Sequence, residues 1–114
     1  KRKIGDVARI HFGIDALFGL SSLKAAAAAV PATDDYERLA RERAIETLDD
    51  AQSNLTQEVS ASAKGQGTLE SWLGERGEDA ERTRSTVNAI SSSGLTLPKL
   101  MVAAGMLADL PRKR

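Results

Sequence analysis

His11 is the only histidine in the chain, and Asp15 stands four residues after it, a spacing that puts imidazole and carboxylate on one face of a helix. Two readings follow: a carboxylate orienting a histidine base, as in a catalytic dyad, or an ordinary helix side-chain pair, which is the expected one. A carboxylate-bridged di-iron site would need Glu-x-x-His pairs, and the residue three before His11 is Ala8, which excludes it. Glu42, Glu46 and Asp50 recur at helical spacing and would align three carboxylates of the kind a divalent cation takes. Arg38 extends that row, however, while Glu37 stands in register with Arg41 and Glu78 with Arg82. Mixed charge at this spacing marks a solvated helix face rather than a metal centre. No cysteine is present, so disulfides, thiolate metal sites and cysteine nucleophiles are excluded.

The stretch "FGIDALFGLSSL" carries Gly13 and Gly19. A phosphate-cradling loop needs its glycines at a strand-to-helix turn, where backbone N–H groups converge on the anion. No strand precedes these glycines, their spacing matches neither nucleotide fingerprint, and "GQG" at 65 to 67 fails in the same way. They are expected to let helices pack or bend. No residue of this stretch is therefore assigned as catalytic, cofactor-binding or metal-ligating.

The elements that would position these groups are helices. Aromatic residues are only 4% of the chain, so a core must come from Leu, Ala, Ile, Val and Met, which favours helix over strand. A length of 114 residues suits one domain. Sixteen basic residues balance sixteen acidic ones, leaving no broad positive field for nucleic acid, and the basic ends, "KRK" and "PRKR", read as solvated termini. No run reaches the roughly 20 apolar residues of a membrane span, and Asp6 and Arg9 interrupt any signal-peptide segment. A start at Lys rather than Met suggests a piece of a longer protein.

Apolar residues from Ile4 to Phe18 cover most of a helical circumference, predicting a helix buried on more than one side. Gly19 predicts a break, and the Ala-rich continuation should run to Val30 and stop at Pro31. Asp34 with Glu37 forms a capping-box pattern, with Thr33 as the other cap candidate. The stripe Tyr36, Leu39, Ala40, Ala44, Leu48, Ala51, Leu55, Val59 predicts a long helix, ~30 residues and ~45 Å if it reaches Ala63. "KGQG" at 64 to 67 predicts a turn and Thr68 a cap. The next stripe runs Leu69, Trp72, Leu73, Arg76, Ala80, Thr83, Val87, Ile90, with a bend or a break expected near Gly74 and Gly77. "SSSG" at 91 to 94 stops it. Thr96 and Pro98 then open a last helix, ended by Pro111, with Leu97, Leu100, Met101, Ala104, Leu107 and Ala108 on its face. The fold class is all-α: a single domain of four or five helices, mainly antiparallel, with short loops.

Five apolar residues are candidates for packing or docking: Phe12, Leu39, Trp72, Leu100 and Met101. Trp72 reads either as a core anchor whose indole N–H finds a partner at the core's edge, or as a docking hot spot. Met101 and Met106 invite the same two readings.

The order of these boxes along the chain resembles the extreme C-terminus of the large bacterial NAD-specific glutamate dehydrogenases. The family pattern has an Ala-x-x-[Tyr/His]-Phe box with a glycine, here Ala8 to Gly13, then a Gly-Leu entry to an Ala-rich segment, here Gly19 to Leu23. An acidic-aromatic helix start, an A-Q-x-x-L-T box, a Leu-x-x-Trp box and a Leu-rich closing helix follow at Asp34 to Leu39, Ala51 to Thr56, Leu69 to Trp72 and Leu97 to Leu110. Ser21 and Ser22 stand where an Asp and an aromatic or basic residue are common, Tyr36 stands where Trp is usual, and "GERGED" interrupts a more regular region. The resemblance implies a cytoplasmic, oligomeric enzyme of amino acid catabolism that oxidatively deaminates L-glutamate to 2-oxoglutarate and ammonia with NAD. It places the NAD site and catalytic residues upstream and gives this domain a structural or regulatory role against the upstream domains of the same chain, with no nucleic acid or membrane partner. The rival expectation is a free-standing helical adaptor that binds a partner helix near Trp72.

Overall fold

A computed structural model describes residues 4–62 and 67–112, and among these residues the secondary structure is entirely helical. Helix α1 spans Ile4–Phe18 and α2 spans Leu20–Ala28. Gly19 separates them at φ 61°, ψ 39°, a left-handed conformation that a Cβ would strain, so the expected break is real. Gly19 has no side chain to cap α2. Asp15 supplies the cap from the preceding helix, its Oδ1 accepting the Ser21 N–H at 3.0 Å and its Oδ2 the Ser21 hydroxyl at 2.6 Å. Helix α2 stops at Ala28, short of the expected Val30, whose N–H turns back to the Ala27 carbonyl while its side chain is buried.

Helix α3 spans Asp35–Ala61 and opens on both cap candidates at once. The Asp34 carboxylate accepts the Glu37 N–H, while the Glu37 carboxylate accepts the N–H and hydroxyl of Thr33. The expected end at Ala63 lies outside the described residues, as does "KGQG" apart from Gly67 at φ 71°. Helix α4 spans Leu69–Ser92 behind the Thr68 cap, and Gly94 at φ 92° follows its end. Helix α5 spans Leu97–Asp109 with Thr96 as cap and Pro98 in the first turn. A 3-10 turn, Leu110–Arg112, carries Pro111 beyond it.

The break that Gly74 and Gly77 could make does not occur; α4 passes through both glycines without interruption. Trp72, Ala80, Thr83 and Val87 are buried along one face of α4, and that packing outweighs the roughly 1 kcal/mol of propensity each glycine loses.

Cross-helix bonds set the directions. Arg76, early in α4, reaches Glu58 late in α3 and the Leu110 carbonyl after α5, while Ala40 and Ala44 of α3 face Met101 and Ala104 of α5. Helix α4 therefore runs opposite in direction to α3 while packing against α1 and α5, and α5 lies beside α3 and runs the same way. Lys24 meets Gln52, and Arg41 donates to the Val30 carbonyl, so α1 and α2 also run against α3. Leu48, Leu55 and Val59 of α3 are fully buried at the centre, with Ile14, Leu20, Leu100 and Leu107.

Two expected burials are incomplete. Helix α1 packs against both α3 and α4, but its apolar residues are not all covered: Phe12, on the outer side, is 69% exposed, and Val7, near the helix start, is 37% exposed. On α3 the stripe is buried from Ala44 onward, but Tyr36 is 78% and Leu39 52% exposed. Leu39 lies five residues before Ala44, about 140° away around the helix, off the Ala44, Leu48, Ala51 line.

Candidate functional site

The polar residues of α1 and α3 meet, in an arrangement other than the expected pair. His11 and Asp15 take separate partners: Asp15 caps α2, and His11 Nδ1 lies 3.2 Å from Thr56 Oγ1 across the α1–α3 interface. The Thr56 hydroxyl donates to the Gln52 carbonyl one turn back at 2.8 Å, so its oxygen is left to accept from His11, which places the ring hydrogen on Nδ1. Gln52 is 3% exposed and bonded at both ends of its amide, Nε2 donating to the His11 carbonyl at 3.1 Å and Oε1 accepting from Lys24 Nζ at 2.9 Å. Lysine can only donate, so the amide orientation follows. Lys24 also pairs with Asp49 at 2.7 Å.

The line Asp49, Lys24, Gln52, His11, Thr56 thus pins α1 and α2 to α3. Gln52 and Thr56 belong to the A-Q-x-x-L-T box, and His11 to the Ala8 to Gly13 box. Helical spacing cannot reveal a contact between residues 45 apart, so the sequence reading missed this line. The signal was two polar residues, Gln52 and Thr56, bordering the buried stripe of α3. Among the described residues no carboxylate bonds to the His11 ring, and the network they form orients helices rather than making a general-base dyad.

Asp15 titrates below the ordinary carboxylate range because the Ser21 hydroxyl bonds its charged form, with Ser21 N–H, Lys24 and His11 helping against partial burial. The Glu37 carboxyl is lowered by its Thr33 bonds, and Glu81 by Arg84.

A second cluster joins three elements. Arg76 donates to Glu58 at 2.8 Å and to the Leu110 carbonyl at 2.6 Å, with its guanidinium 5.6 Å from the centre of the Trp72 ring. Trp72 is 2% exposed, which makes it a core anchor and keeps it from presenting a docking surface. Among the described residues the indole Nε1 is buried without the expected partner, as is Arg76 Nε.

Of the other candidates, Leu100 is fully buried, whereas Phe12, Leu39 and Met101 are exposed, Met101 at 50%. Glu42, Glu46 and Asp50 all face solvent, and among the described residues no three potential ligands gather. The expected Glu37–Arg41 and Glu78–Arg82 pairs are replaced by Glu37 with Thr33, Arg41 with the Val30 carbonyl, and Arg82 with Asp79 at 3.3 Å. Arg38 pairs with Asp35. Gly13 turns toward α4: a Cβ there would lie 2.9 Å from Leu69 Cδ2, so Gly13 serves close helix packing. No described helix is long and apolar enough to cross a membrane.

This is an all-α bundle whose polar side chains lock helices to one another. The family model for the C-terminal region of glutamate dehydrogenase matches residues 1–109, so the chain belongs to that family. No curated protein and no solved structure matches it.

Proposed function

We propose that the chain is a non-catalytic C-terminal domain of an NAD-specific glutamate dehydrogenase, serving assembly, stability or control of the enzyme. The parent reaction would be oxidative deamination of L-glutamate to 2-oxoglutarate and ammonia, in a cytoplasmic homo-oligomer, with NAD bound upstream. The observation that carries this reading is the family match over 1–109. The use of His11, Gln52, Thr56 and Arg76 as ties between helices supports it.

The test compares glutamate-dependent NADH formation by three proteins: the full enzyme, the enzyme truncated before this domain, and the 114-residue chain alone. The expected result is no activity in the isolated chain and altered assembly, thermal inactivation or saturation behaviour in the truncated enzyme. NADH formation by the isolated chain, or a truncated enzyme indistinguishable from the full one, overturns the reading. In the rival adaptor reading a partner helix would bind a free-standing domain; because Trp72 is buried, that helix would have to dock elsewhere.

A further inference from the structure

We draw no further inference here: the strongest candidate, the open cleft of about 310 Å³ between α1 and the first turn of α4, lined by Arg9, Gly13, Thr68 and Leu69, is a helix N-terminus with nothing in the structure that points to a ligand, since none of the buried polar atoms left without a partner among the described residues, Ser60 Oγ, Trp72 Nε1 and Arg76 Nε, belongs to its lining.

Discussion

His11 Nδ1 donates to Thr56 Oγ1 across 3.2 Å, joining two helices at residues 45 positions apart. The same threonine hydroxyl donates to the Gln52 carbonyl, so one side chain closes both bonds. Thr56→Val removes the acceptor for His11 and buries no compensating partner. The expected destabilisation is about 1–2 kcal/mol, read from urea unfolding, with Thr56→Ser recovering most of it because the hydroxyl returns. A Thr56→Val chain as stable as the parent would show that the bond is energetically idle.

Arg76 ties the ends of three elements together, and geometry makes arginine hard to replace there. Its planar fork reaches Glu58 and the Leu110 carbonyl together, which a lysine ammonium cannot do from the same position while stacked on Trp72. Arg76→Lys should therefore cost nearly as much as Arg76→Met, about 2–3 kcal/mol, with a changed emission spectrum from the sole tryptophan. Full retention of stability in Arg76→Lys would contradict this.

The turn between α1 and α2 makes a pH-dependent contribution. The folded-state pKa of Asp15 is depressed, chiefly by the Ser21 hydroxyl, so its stabilisation is complete above the unfolded carboxylate value, about 4. It is lost as pH falls through the lower folded value. Asp15→Asn should lower stability at neutral pH by about 1 kcal/mol. The gap between variant and parent should then begin to narrow below about pH 4 and close as pH falls past the lower folded value. A gap that stays constant from neutral to strongly acid pH would rule out the carboxylate as its source.

Glycines of α4 and of the α1–α2 break should respond with opposite signs. Gly74→Ala should stabilise by about 0.5–1 kcal/mol, because the position is helical and a Cβ there meets nothing within 4 Å. Gly19→Ala should destabilise by about 1 kcal/mol, because its left-handed backbone opposes a Cβ although space is open. Melting temperatures of the two variants decide the matter, and a shared sign would refute the distinction.

Phe12, Leu39 and Met101 show the limit of reading burial from a stripe. Each falls at an apolar position of a helix, yet each is exposed, because a stripe says which face is apolar and not whether another element reaches it. Gly74 and Gly77 show the reverse: their propensity predicts a bend or a break, and the packed face of α4 carries the helix through both without a break.

By itself, the sequence determined the helical class and most helix ends. The caps at Asp34, Thr68 and Thr96 and the break at Gly19 depend on backbone groups within a few residues. Only the tertiary structure decided that His11 turns to Thr56 rather than Asp15, that Arg76 reaches the Leu110 carbonyl, and that a groove stays open between α3 and α5. Those outcomes depend on how whole helices lie against each other. Side chains far apart in the chain meet through that packing, and local spacing carries no information about it.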